Sequence, residues 1–142
     1  MNKYKLPMRI GVGAIILNKD NHVFVGKRKD NPIDKWQMPQ GGVDKGENFV
    51  TAMKRELIEE TGIVNFRLFD GFKHRIEYNF QKGNEMVPKE VIFFLAESNI
   101  KDVKLSSEHQ NFIWLNFNLA YSKLTYANAK EVLAAVKMFL DN

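Results

Sequence analysis

The chain has 142 residues, 44% hydrophobic and 27% charged, with no cysteine and a formal net charge of +4. That length suits one domain with a sizeable core and is short for two, and the composition is that of a globular protein. Absence of cysteine excludes a disulfide framework and thiolate chemistry, no apolar run approaches the ~18–20 residues of a membrane span, and the positive balance would draw anionic substrates.

The N-terminal stretch MNKYKLPMRI holds no leader-like apolar run, so a cytoplasmic address and no membrane partner are expected. Arg9 to Leu17, RIGVGAIIL, is rich in β-branched apolar residues and reads as a buried strand. Asn18 to Asn21 is a turn signal, and His22 to Arg28 a second strand. Residues 29 to 35 read as a polar loop, and Trp36 to Pro39 lead into glycines 41 and 42. A helix is predicted over Asn48 to Thr61, with Gly62 placed to end it. Phe66 to Phe80 holds one or two strand segments around Gly71, and Gln81 to Pro88 reads as a polar connection. Val91 to Ala96 is a buried strand, residues 101 to 109 a polar loop, and Phe112 to Phe117 a last short strand. Asn128 to Leu140 is a second helix, Asn128 and Glu131 offering a capping-box-like start. Its inward stripe is Val132, Val136, Phe139 and Leu140. This order is not a regular βαβ series and predicts one α/β unit, a mixed sheet with a helix on each face.

The first helix carries the chemistry. Helix residues three and four apart are neighbours, with Cβ atoms roughly 5–6 Å apart, so Glu56 lies beside both Glu59 and Glu60. Like charges at those spacings weaken a helix. Two readings compete: a solvated face on which Lys54 or Arg55 pairs with glutamates at i+4, or a site for a cation. Hard oxygen ligands suit Mg²⁺ or Mn²⁺, and Mg²⁺ is usually held by a few carboxylates plus substrate phosphates. The opposite face, Val50, Met53 and Leu57, has the spacing of a stripe packed on a core.

Gly41, Glu47, Arg55, Glu56, Leu57, Glu59, Glu60, Gly62 and Ile63 fill every specified position of the pattern G-x5-E-x7-R-E-U-x-E-E-x-G-U, where U is aliphatic. This is the Nudix box, and the chain resembles a Nudix hydrolase over nearly its whole length. The resemblance implies an α/β/α sandwich, a divalent metal (Mg²⁺ or Mn²⁺), and hydrolysis of a phosphoanhydride. It implies Glu56 and Glu60 as principal metal ligands, with the Gly41 carbonyl as a third. Glu59 would bind a bridging metal or act as general base, and Arg55 would orient the glutamates. Glu47 would either close the loop on the helix start or bind metal. Glu108, in SEHQNFIWL, is similar to the Glu-His segment of animal-type diadenosine tetraphosphate hydrolases and is a further candidate ligand.

Two subfamilies compete for the substrate. WQMPQGG, residues 36 to 42, resembles bacterial RNA pyrophosphohydrolases, as do Arg9 and Val12-Gly13; there Arg9 would meet phosphate. The second half, with PKEVIFFLAE from Pro88 to Glu97 and Leu124-Thr125-Tyr126, resembles diadenosine tetraphosphate hydrolases. In that reading Lys89 touches a phosphate and Tyr78 or Tyr126 stacks on adenine, although aromatics at such positions are more often core. Lys27 and Arg28 are further substrate candidates or plain surface residues. The expected activity is cleavage of diadenosine tetraphosphate into ATP and AMP. The alternatives are removal of pyrophosphate from RNA 5′ ends and, from another class, a non-catalytic nucleotide- or RNA-binding module. No DNA partner is expected.

Overall fold

The computed structural model describes residues 7–28, 35–98 and 109–142. Strand β1 (Arg9–Leu17) is the pivot, because its sequence is apolar on both faces and Val12 to Leu17 are all buried. It runs parallel to β7 (Glu85–Glu97) in register from Arg9↔Lys89 to Leu17↔Glu97. It is antiparallel to β2 (Val23–Arg28) and to β4 (Gln40–Gly42). β2 continues to β3 (Trp36–Gln37) and to β8 (His109–Leu115). β7 also carries β5 (Arg67–Leu68) and β6 (His74–Lys82), both antiparallel. One parallel pair among antiparallel ones makes the sheet mixed.

Strand alternation then splits the core into two layers. Val12, Ala14 and Ile16 of β1 face Ala52, Met53 and Leu57 of α1 (Phe49–Thr61). Ile15 and Leu17 face Ala120 of α2 (Phe117–Lys123) and Val132, Leu133 and Val136 of α3 (Ala127–Asp141). The expected α/β/α sandwich is present. Full burial of side chains such as Leu57 and Leu133 contributes about 1.5–3 kcal/mol each. α1 begins where Asn48 accepts the Thr51 N–H at 2.8 Å. It ends at Gly62, whose φ of 74° is the left-handed conformation glycine adopts without strain.

Several expectations need correction. Residues 81 to 88 are mostly strand: β6 and β7 form a long hairpin that turns at Gly83, φ 63°. Polarity disguised them because this ribbon runs past the start of β1 and is exposed on much of its surface. Pro88 is tolerated there, one residue before the parallel ladder to β1 begins. The last strand starts earlier than expected, and Phe117 opens α2, capped by Asn116, which accepts the Leu119 N–H at 2.9 Å. No capping box opens α3; its N-cap is Tyr126, without a side-chain cap bond, and Glu131 instead meets His74 Nε2 at 2.9 Å. Val50, in the first turn of α1, is 37% exposed, so burial on that helix starts at Ala52. The polar segments at 29–34 and 101–108 lie outside the described residues.

Gly13 is required by packing. A Cβ there would overlap the Phe93 ring and come within 3.0 Å of the Pro39 carbonyl. Gly13→Ala should therefore lower stability by about 1–3 kcal/mol, the usual range for overpacking. Urea unfolding measures it, and an unchanged midpoint would show that the ring moves aside freely.

Candidate active site

The helix α1 glutamates would repel one another if left alone, and Arg55 is what offsets them. Its Nε and Nη2 hold Glu47 Oε2 and Oε1 at 2.7 and 2.9 Å. Its Nη1 donates to Glu56 Oε1 at 2.8 Å and to Glu59 Oε2 at 3.2 Å, and Nη2 donates to the Gly42 carbonyl at 2.9 Å. All five guanidinium N–H groups are thereby used. Glu47 and Glu56 side chains are only 15% and 13% exposed against 57% for Glu59, so Glu59 is the most loosely held of the three.

Glu47 also accepts the Asp44 N–H at 2.8 Å, which closes the glycine loop onto the helix start. The Arg55 guanidinium, then the Asp44 N–H, hold its carboxyl down to about 2. Glu56 moves the opposite way. Burial pushes its pKa up first, Arg55 opposes this, and the negative charges of Glu59 and Glu60 add to the rise. Two like charges thus bear on one half-buried carboxylate. Glu60 is itself buried and engaged in an interaction.

Gly41 approaches this group directly. A Cβ on Gly41 would fall on the Glu56 carboxyl, so the loop backbone lies against the acid. Glu56, Glu59, Glu60 and the Gly41 carbonyl form a set of hard oxygen donors of the kind a divalent cation takes, and that chemistry fits. Among the described residues, no three acidic or histidine side chains stand together in metal-holding geometry. Arg55 bridges Glu56 and Glu59 instead, so these carboxylates must turn from it to meet a cation.

A cavity of about 810 Å³ opens beside the loop. Tyr78 and Lys89, paired across β6 and β7, line it, and so does Tyr126 at the start of α3. Three sequence-predicted substrate residues from two distant segments therefore share one wall. Burial first, then the nearby Tyr126, push the Tyr78 phenol up, against a hydrogen bond from the Gln40 side chain. Tyr126 is held in place by a reciprocal clasp. The Trp36 N–H donates to Thr125 Oγ1 at 2.8 Å, and the Thr125 N–H to the Trp36 carbonyl at 3.1 Å. Cavity and glycine loop meet at Gly11: a Cβ there would lie 3.0 Å from the Gly41 oxygen and 3.2 Å from Lys89 Cε.

Other expected residues lie further out. Arg9 is exposed, faces Lys89 across the parallel ladder and stands 5.8 Å above the Phe80 ring, itself part of the cavity wall. Lys27 pairs with Trp36 across β2 and β3, and Arg28 ends β2 opposite His109. Glu108 is outside the described residues. Gln37, Phe80 and Asn128 line the cavity without having been singled out. Phe80 had a legible signal, since Ile76, Tyr78 and Phe80 share one face of β6 at period two.

The architecture is thus an α/β/α sandwich carrying a complete Nudix box beside an aromatic-walled cavity. The NUDIX domain family pattern matches residues 7–136. The RNA pyrophosphohydrolase of Rickettsia canadensis is 35% identical over 146 aligned residues, covering 94% of this chain and 91% of that protein. The RNA pyrophosphohydrolase of Pelagibacter ubique is 57% identical over 82 residues, 58% of this chain and 52% of that protein, so this match spans about half of the relative's length. In three dimensions the chain is similar to a C. elegans Ap4A hydrolase in a binary complex, with TM-score 0.81 and 28% identity over 94% of this chain and 98% of that one. The chain belongs to the NUDIX family and is a Nudix hydrolase. Nudix hydrolases generally need a divalent metal.

Glu47 gives the site a pH signature. A carboxyl whose pKa falls from 4.5 to about 2 on folding contributes stability that is complete above its unfolded pKa and is lost as pH falls through the folded one. The gap in melting temperature between the wild type and Glu47→Gln should therefore be widest above about pH 5 and should close as pH falls toward about 2. Thermal unfolding across that range measures it; a constant gap would mean that Glu47 acts through packing rather than charge.

Proposed function

We propose that this chain, acting as one catalytic unit, hydrolyses diadenosine tetraphosphate asymmetrically to ATP and AMP with Mg²⁺, Mn²⁺ serving as a substitute. The observation that carries this reading is the junction at Gly11. It sets a cavity walled by Tyr78, Tyr126 and Lys89 against the carbonyl of Gly41, the same loop residue whose α-carbon closely approaches the Glu56 carboxyl. The adenine would lie on Tyr78 or Tyr126, a stacking contact worth about 1–3 kcal/mol. Lys89 would meet the first phosphates and Arg9 the outer ones, with Lys27 and Arg28 as further phosphate contacts.

In this reading Glu56, Glu60 and the Gly41 carbonyl hold the metal, which when bound neutralises phosphoryl charge and acidifies water. Glu59, the least tightly held glutamate, takes the proton from the attacking water. The water oxygen bonds to phosphorus, the bond from that phosphorus to the bridging oxygen breaks, and ATP and AMP leave. Arg55 touches no substrate; it positions Glu47, Glu56 and Glu59. Glu108 is proposed as an additional metal ligand. No helix among the described residues is long and apolar enough to cross a membrane, and freedom from cysteine suits the reducing cytoplasm we assign to it.

A second reading, removal of pyrophosphate from RNA 5′ ends, is favoured by the two relatives of that name. Both readings use the same phosphorus chemistry and differ in what extends beyond the phosphates. Purified protein with Mg²⁺ should convert diadenosine tetraphosphate to ATP and AMP, and excess chelator should abolish this. Glu59→Gln should lower kcat roughly 10²–10⁴-fold, the range of a lost general base. Release of pyrophosphate from 5′-triphosphorylated RNA, with the dinucleotide untouched, would establish the second reading; no turnover of either would sink both.

A further inference from the structure

Four amide side chains line the cavity: Gln37, Gln40, Asn79 and Asn128. Gln40 is engaged by the Tyr78 phenol, and Asn79 is exposed. Gln37 and Asn128 are half-buried, and neither side chain has a hydrogen-bond partner among the described residues. Their polar atoms still reach water, so both amides can exchange it for a ligand edge that matches them. The two come from distant elements, β3 and α3, yet their separation is fixed. The Trp36–Thr125 clasp lies one residue from Gln37 and three from Asn128, and Gln37 is paired to Gly26 in the sheet. Both amides share the cavity with Tyr78 and Tyr126, so aromatic rings and carboxamides line the same space.

We propose that Gln37 and Asn128 read the edge of the base and make this cavity selective for adenine over guanine. A carboxamide offers one acceptor and one donor side by side, which matches the N6 amino group and N7 of adenine bidentately. Guanine presents two acceptors, O6 and N7, at the same edge, so the amide oxygen would face another oxygen. A pocket built to hydrogen-bond its ligand rejects an analogue that cannot do so, because its own polar groups are then stranded. This inference rests on the assignment of the cavity to a nucleotide base and deepens it, without depending on which polyphosphate is cleaved.

Calorimetric binding of AMP, GMP and 7-deaza-AMP with Mg²⁺ tests it without turnover. The wild type should prefer AMP over GMP by about ten- to hundredfold, and 7-deaza-AMP should lose much of that advantage. Gln37→Met and Asn128→Leu should each shrink the preference, and together should abolish it. Asn128→Ala, which removes the amide without adding charge, decides the matter if the double variant is unstable; it should weaken AMP more than GMP and so shrink the preference. Equal wild-type affinity for AMP and GMP would overturn the proposal, as would a preference that survives undiminished in the folded double variant or in Asn128→Ala. Failure to cleave diadenosine tetraphosphate alongside an intact adenine preference would overturn the substrate assignment and leave this one standing.

Discussion

Arg55 is the group on which the site depends, because helix α1 places three glutamates where each weakens the helix that carries them. The guanidinium spends all five donors within one turn of the site, on Glu47, Glu56, Glu59 and the Gly42 carbonyl. A lysine could not reproduce that fork, since its three donors radiate from a single atom. The effect on each acid differs with its surroundings. Glu47 is held ionised and closes the loop, whereas burial first, with Glu59 and Glu60 adding to it and Arg55 opposing, pushes the Glu56 pKa up. Arg55 meets Glu56 at Oε1, and a cation would offset the repulsion that remains. The bland interpretation of this helix, a solvated ion-paired face, accounts for the Arg55 contacts but not for Glu56, which is drawn out of water.

Glycine is the second constraint, and it acts by close approach rather than by flexibility. Gly11, Gly13 and Gly41 lie in the paired stretch of β1 and β4, where Gly41 pairs with Val12 between the other two. Each removes a side chain where something else must come near: the Gly41 oxygen and Lys89 at Gly11, the Phe93 ring at Gly13, the Glu56 carboxyl at Gly41. Phe93 and Lys89 also line the cavity. The same three absences of Cβ therefore couple the base cavity on one side of the loop to the acidic helix on the other.

The layered fold was legible because β1 and β7 carry continuous apolar runs, which read as strands buried on both faces. The box residues were legible because their spacing is fixed by helix geometry. The long β6–β7 hairpin was not, since a ribbon exposed along much of its length has no apolar stripe to betray it. α2 was hidden for a related reason: its only fully buried residue is Ala120. Tyr78, Lys89 and Tyr126 could be named as candidates, but their convergence depends on register and on the Trp36–Thr125 clasp, neither of which local sequence specifies. Nothing in the local sequence marks Gln37 or Asn128 as a cavity residue; only the fold brings them to that wall.

The central claim is that the acids of α1, gathered by Arg55 and pressed against Gly41, form the seat of a divalent cation. Titration of Mg²⁺ into the protein without nucleotide tests it most directly, comparing the wild type with Glu56→Gln and Gly41→Ala. In Gly41→Ala the new methyl should displace the Glu56 carboxyl, the far end of a flexible side chain, and leave the fold intact. The account predicts saturable binding to the wild type and at least a tenfold loss of affinity in both variants at unchanged melting temperature, in keeping with the roughly 10–100-fold cost of disturbing a metal site's supporting shell. Wild-type affinity in both variants would contradict it.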